Sequence, residues 1–256
     1  MVLYVSAPEQ TPVSAAIPTA DILGYKVAHC TSEEAAQWSV ARCLGAPSPH
    51  LLVTLNPEII VQAEADPTLK RSLQNADLTV ADGVGITWAA QRFGVTLPER
   101  VPGVELMERI LVLGGERLRV YFLGAEPGVA ARAAEVAQER YGTVTAGVQH
   151  GYFKRPEEIP QVVEHVARSG AHLLLAGLGE GQERFLDEHR DDLNIRLMIG
   201  VGGALDVLSG EVKRTPLWTR KLRLEWAYRV GLDPKRWHRF PRLARFVRLV
   251  YGRTRA

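Results

Sequence analysis

Five segments bring polar side chains and glycine together at the ends of short apolar runs. They read Thr54-Leu55-Asn56-Pro57-Glu58, Ala81-Asp82-Gly83-Val84-Gly85, Leu123-Gly124-Ala125-Glu126-Pro127-Gly128, Gly177-Leu178-Gly179-Glu180-Gly181-Gln182-Glu183 and Gly200-Val201-Gly202-Gly203. Each residue type suggests a task. Asp82, a carboxylate in a tight glycine-flanked loop, has the chemistry to take a proton from a bound hydroxyl. Glycines let the backbone approach a phosphate closely, and helix starts offer N–H groups to anions. Taken singly, Asp82 could equally cap a helix, and Thr54 with Asn56 could form an Asx or ST turn. Taken together, the five segments outline one site.

Other chemistries lack their residues. The seven histidines show no H-E-x-x-H or His-x-His spacing, there is no Cys-x-x-Cys, and Asp-x-Asp does not occur. No metal site is therefore expected, and no cofactor. No G-x-x-x-x-G-K-[ST] segment is present, so a P-loop is excluded. Gly177-x-Gly179-x-Gly181 starts like a dinucleotide fingerprint, but Gln182 stands where the third glycine belongs. The two cysteines, Cys30 and Cys43, are too few for a disulfide scaffold and read as reduced, packed thiols. No apolar run is long enough to span a bilayer. Met1–Val5 lacks the cationic flank of a secretory signal, the first basic residue being Lys26, so a cytoplasmic protein is expected.

These candidates need a scaffold. Apolar runs at 51–55, 78–81, 118–123, 144–148, 173–176 and 195–199 read as strands, with helical stretches such as 127–140 and 156–169 between them. That alternation predicts an α/β fold, a Rossmann-like, mostly parallel sheet flanked by helices. In such sheets ligands bind at the carboxyl ends of the strands, where the five segments fall. Residues 1–20, with three prolines, read as a poorly ordered lead-in, 21–210 as the catalytic domain and 211–256 as a basic helical appendage. Residues 211–256 hold 14 Lys and Arg against Glu211, Glu225 and Asp233, a net +11 that leaves −9 on the first 210 residues. A basic tail on an acidic body suggests phosphate or anionic lipid as its partner.

The polar segments also come in a recognisable order. Thr54-x-Asn56-x-Glu58 is followed by Ala76-Asp77-x-x-x-Ala81-Asp82-Gly83-x-Gly85, Glu99-Arg100-Val101-x-Gly103, Phe122-Leu123-Gly124, Gly151-Tyr152-Phe153 and Gln182-Glu183. Then come Gly200-x-Gly202-Gly203-x-x-Asp206-x-x-Ser209-Gly210, Arg214-Thr215-Pro216 and Glu225-Trp226-x-Tyr228-Arg229-x-x-x-Asp233-Pro234-x-Arg236. This succession, from about residue 22 to about 246, resembles the WecG/TagA/CpsF glycosyltransferases, glycosyltransferase family 26. The resemblance implies an inverting, metal-independent transfer of N-acetylmannosamine or a related hexose. The donor is a UDP-sugar and the acceptor an undecaprenyl-diphosphate-linked GlcNAc-type sugar, as in teichoic acid or surface polysaccharide synthesis. It implies a peripheral enzyme on the inner face of the cell membrane.

Residue by residue, the resemblance makes Asp82 the base, sets Thr54 and Asn56 against the sugars and carries Gln182 into the catalytic group. It sets Arg100, Gly124, Gly202 and Gly203 about the diphosphate and Tyr152 near the uracil, where a core tyrosine is the other reading. Arg229, Arg236 and Arg239 become the cations that steady the leaving UDP. Two departures stand out. The family commonly reads Gly-Leu-Gly-x-Pro-x-Gln-Glu, whereas only Glu180 and Gly181 separate Gly179 from Gln182 here, and Glu105 replaces a more usual Asp. In the tail, Leu243, Phe246, Val247 and Val250 fall on one helical face away from Arg242, Arg245 and Arg248, a pattern suited to an anionic bilayer surface rather than nucleic acid. A cut near Gly210 is expected to leave the body folded. A nucleotide-binding oxidoreductase or a non-catalytic lipid-binding module is the alternative, and a homo-oligomer stays open.

Overall fold

The structure, a computed structural model, describes residues 16–153, 155–212 and 240–253. Its centre is a six-stranded sheet in the order β4-β3-β8-β7-β5-β6, every neighbouring pair parallel. The strands are β3 (His50–Leu55), β4 (Leu78–Ala81), β5 (Arg119–Gly124), β6 (Val144–Gln149), β7 (Leu173–Gly177) and β8 (Leu197–Gly200). All but the edge strand β6 are near-continuous apolar runs, as strands covered on both faces must be.

Side chains alternate between two cores with the period of the pleat. Leu51, Val53 and Leu55 of β3, with Tyr121, Leu123, Leu174 and Met198, pack on one face. That face is covered by α2 (Pro57–Ala63), α3 (Pro67–Gln74), α4 (Val84–Arg92), α7 (Ile159–Arg168) and α8 (Gln182–Glu188). Leu52, Val120, Phe122, Leu175 and Ile199 point the other way, under α1 (Ser32–Leu44), α5 (Gly103–Gly114), α6 (Val129–Tyr141) and α9 (Ala204–Ser209). The chain therefore leaves β3 towards one face and the neighbouring β8 towards the other, and the same parting occurs between β7 and β5. Such partings open a crevice outside the carboxyl ends.

Local chemistry sets the helix starts. Thr31 and Glu34 form a reciprocal capping box on α1, while Asn56 and Asp66 cap α2 and α3 ahead of Pro57 and Pro67. The helix expected from residue 127 begins at Val129, because Gly128 is left-handed at φ +92°. The strand expected from 195 begins at Leu197, after a turn through Asn194 at φ +52°.

Two further differences concern the ends of the chain. An antiparallel hairpin, β1 (Thr19–Ile22) and β2 (Tyr25–Ala28), precedes α1, so ordered structure begins inside the expected lead-in; residues 1–15 lie outside the described residues. At the other end, α10 (Phe240–Arg253) packs on α2, and Phe246 and Val250 are 0% exposed within the same core as β3. Two residues of the stripe offered to lipid thus face protein. Arg253 donates to Leu23 O at 2.7 Å and pairs with Glu64 at 3.3 Å, and Arg92 donates to Tyr251 Oη at 2.8 Å.

A cut near Gly210 would remove two fully buried side chains, so the body is expected to lose stability with its tail. Phe246→Ala is expected to cost about 3–5 kcal/mol, the range for emptying a buried aromatic site. Truncation after Gly210 should cost more; the first is read from the urea midpoint at constant m-value, the second from the extrapolated unfolding free energy with the shorter chain's own m-value.

Candidate active site

The crevice is built from the strand ends upward. Asp82 follows β4 directly, its N–H donating to Leu55 O at 2.8 Å, so its loop is tied to the end of β3. Val101 N–H donates to Ala81 O at 2.9 Å and brings the start of α5 to the same corner. Gly103 stands between two candidate side chains. A Cβ there would lie 3.3 Å from Thr54 Oγ1 and 3.5 Å from Asp82 Oδ2, so Thr54 and Asp82 converge on that point from β3 and β4. Thr54 is buried, and among the described residues its hydroxyl makes only a long 3.5 Å contact to Gly200 O. Arg100, half-buried, immediately precedes the anchored Val101.

Asn56 serves first as a cap, its Oδ1 accepting from Glu58 N at 3.0 Å and Ile59 N at 3.1 Å. Only the oxygen is used. The two N–H donors of the carboxamide make no hydrogen bond among the described residues, so capping and contact with a ligand are compatible.

The row continues across the sheet through glycines. A Cβ on Gly177 would lie 2.7 Å from Gly202 O, and one on Gly124, which has φ +131°, would lie 2.3 Å from Gly177 O. Beyond Gly124, Ala125 N–H donates to Gly177 O and Gly151 N–H to Ala125 O, each at 2.9 Å, which brings Tyr152 to the far end. Tyr152 is no core residue: it is 49% exposed, and its Oη donates to Glu126 Oε1 at 3.4 Å. Its N–H donates to His150 Nδ1 at 3.2 Å. Thr54, Asp82, Gly202, Gly203, Gly124 and Tyr152 thus lie along one carboxyl edge. Arg229, Arg236 and Arg239 lie outside the described residues.

Gln182 opens α8, and its carboxamide is engaged at both ends. Oε1 accepts from Gly202 N at 3.1 Å, and Nε2 donates to Glu183 Oε1 at 2.7 Å. The shortened loop before it is closed by left-handed Gly179 and Gly181, at φ +76° and +89°. Two acids emerge that sequence reasoning quoted within motifs without giving them a role. Glu183 is 4% exposed, and burial pushes its carboxyl above the usual range against hydrogen bonds from Gln182 and its own backbone. Asp206, in the first turn of α9 beside Gly203, is raised by burial and further by Glu126 and Glu211. An acid next to a glycine loop was the available signal; its burial was not.

The model of the Glycosyl transferase WecG/TagA/CpsF family matches residues 20–256. The chain belongs to that family. It is 33% identical over 207 residues to the N-acetylglucosaminyldiphosphoundecaprenol N-acetyl-beta-D-mannosaminyltransferase of Staphylococcus aureus (strain MRSA252), covering 80% of each chain. It is equally 33% identical over 208 residues to the protein of the same name from Bacillus spizizenii, again covering 80% of each. This glycosyltransferase therefore has the Rossmann-like sheet that its sequence predicts.

The buried Glu183 also sets a pH dependence. Its folded form holds a proton more tightly than the unfolded chain, so this contribution to stability is complete below the ordinary carboxylate range and is lost as pH rises through the raised folded value. Glu183→Gln removes that loss. Its melting temperature relative to the parent should therefore rise as pH increases above the ordinary carboxylate range, and level off once the pH passes the raised folded value, in thermal melts.

Proposed function

We propose that this glycosyltransferase moves N-acetylmannosamine, or a closely related hexose, from a UDP-sugar to an undecaprenyl-diphosphate-linked N-acetylglucosamine acceptor, with inversion. The observation that carries the reading is the convergence of Thr54 and Asp82 on one point at the carboxyl ends of β3 and β4, in a chain of this family. The names of the two mannosaminyltransferases support the sugar and the acceptor. In this reading Asp82 takes the proton from the acceptor hydroxyl as its oxygen attacks the anomeric carbon. The new glycosidic bond forms on the face opposite the departing group. The bond from the anomeric carbon to the phosphate oxygen breaks, and UDP leaves with the electron pair.

The departing diphosphate needs positive charge. Among the described residues no three His, Cys, Asp or Glu side chains are grouped to hold a metal ion. The reading assigns the task to Arg100 and to Arg229, Arg236 and Arg239, with close backbone approach at Gly124, Gly202 and Gly203. No cofactor is required by this chemistry.

Full-length protein with UDP-N-acetylmannosamine and a short-chain lipid-linked acceptor should release UDP, and UDP should protect the fold against heat where NAD does not. Asp82→Asn should lower turnover by about 10²–10⁴-fold, the range for losing a general base, with UDP affinity changed only a few fold. Near-normal turnover in that variant removes Asp82 from the role.

The lipid-linked acceptor calls for a membrane surface, and we assign the enzyme to its cytoplasmic side. No helix among the described residues is long and apolar enough to cross a membrane. A groove of about 430 Å³ between α2 and α10 has Val61, Ala65 and Leu249 along its wall and Arg245, Arg248 and Arg253 about it. Arg242 is paired with Glu180 at 2.7 Å and Arg253 with Glu64, which leaves Arg245 and Arg248, both exposed, as the pair to meet anionic headgroups. Arg245→Glu with Arg248→Glu should weaken sedimentation with phosphatidylglycerol vesicles by about tenfold or more, since each basic residue near an anionic surface contributes about 1 kcal/mol. Turnover on a soluble acceptor should be unchanged.

A further inference from the structure

The Gly200–Gly203 loop forms the floor of the crevice beside Thr54, and one buried pair of side chains fixes it. Gly202 N–H is held by Gln182 Oε1, and the other end of that carboxamide is held by Glu183 Oε1. Gln182 is 8% exposed. A Cβ on Gly200 would fall 2.7 Å from Gln182 Nε2 and 2.8 Å from Glu183 Oε1, so the pair occupies the space that a side chain at 200 would need. Gly202 itself is left-handed at φ +50°, and the position of its missing Cβ has no atom within 4 Å. Both polar groups of this peptide are satisfied by protein, Gly202 N–H by Gln182 and Val201 O by Ala204 N–H at 3.0 Å, while the backbone beside Gly202 stays open to close approach.

We propose that Gln182 and Glu183 are positioning residues that act as one unit, holding the Gly200–Gly203 loop in the shape against which the donor's diphosphate packs. Glu183 serves as the acceptor that orients Gln182 and takes no part in proton transfer. This differs from a catalytic role for Gln182. The residue is buried and its carboxamide is held at both ends, so swinging it towards the reacting atoms would strip Gly202 N–H and Glu183 of their partners. The raised proton affinity of Glu183 fits the assignment, because a protonated carboxyl still has an oxygen that accepts from Gln182. The proposal rests on the reading of the protein as a transferase with a nucleoside-diphosphate-sugar donor.

The experiment compares Gln182→Leu, Glu183→Leu, Glu183→Gln and the double leucine variant in the full chain, by steady-state kinetics and by calorimetric titration with UDP. Each single leucine change is expected to raise the donor KM and the UDP Kd by about tenfold or more with kcat within about threefold, the pattern for lost ground-state positioning. The double variant should be no weaker than the poorer single one, since the two residues form one unit. Glu183→Gln, which keeps an acceptor oxygen, should restore donor KM and UDP Kd to within about threefold of the parent and leave the pH–rate profile unmoved.

A kcat loss at unchanged KM and UDP Kd in Gln182→Leu overturns the proposal. So does a Glu183→Gln variant as poor as Glu183→Leu, and this comparison stands even if a leucine variant fails to fold. Failure of the donor reading looks different: the parent itself then binds no UDP. In that case titration of the same variants with GDP and ADP decides the Gly202 assignment, and a parent that binds none of the three overturns it.

Discussion

At the carboxyl edge of the sheet the backbones of β5, β7 and the loop after β8 come so close that a single methyl group would collide. Gly124 is packed against the carbonyl of Gly177, Gly177 against the carbonyl of Gly202, and Gly200 against Gln182 and Glu183. The site depends on this row. It draws the connections after β5, β7 and β8 together, so that Tyr152 at one end and Thr54 at the other border the same crevice. Elsewhere the central strands are apolar on both faces, and a polar atom placed there would be stripped of water without a partner. The carboxyl edge is where this sheet can hold polar chemistry.

Close packing of loops has a cost in polar groups, and the Gln182–Glu183 pair offsets it. Drawing the Gly202 peptide inward buries its N–H, which would be expensive unpaired; Gln182 satisfies it, and Glu183 satisfies Gln182 in turn. A network of this kind is rigid because each member fixes its neighbour's orientation. The rigidity matters chemically: a loop held in advance in the shape that meets a ligand needs no reorganisation when the ligand arrives. Glu183 and Asp82 live in different surroundings, Glu183 sealed beneath the glycine loop and Asp82 partly exposed beside Thr54.

Much of this was legible in the sequence for physical reasons. Uninterrupted runs such as Leu173-Leu174-Leu175-Ala176 can hardly be anything but strands covered on both faces, and their alternation with amphipathic helices sets the parallel sheet. Thr54, Asp82, Gly124, Gly202 and Tyr152 were readable because each lies within a few residues of the end of such a run. The hairpin β1–β2 was not, since its turn uses Leu23 and Gly24 at φ +60° and +84° in place of an Asn-Gly signal, and three prolines upstream mask it. Periodicity finds the apolar stripe of α10 but cannot tell lipid from protein as its cover; the contact of Phe246 with Trp88, ring centroids 6.4 Å apart, is a tertiary fact. The same holds for Glu183, whose burial depends on Gly200, distant in sequence.

The docking of α10 gives the basic segment between residues 212 and 240 two fixed ends. At one, Val212 N–H donates to Asp206 O at 3.0 Å, on the helix that starts at the glycine loop. At the other, Phe246 lies 3.5 Å from where a Cβ on Gly85 would stand, and Pro57 closes the same spot at 2.4 Å. Gly85 and Pro57 are neighbours of Asp82 and Asn56, the two loops that border the other end of the crevice. The described residues that flank this segment are thus held against α9 on one side and against the loops of Asp82 and Asn56 on the other. The charge asymmetry bears on the proposed donor: an anionic sugar nucleotide would meet repulsion from the −9 of the first 210 residues, which the +11 of residues 211–256 offsets.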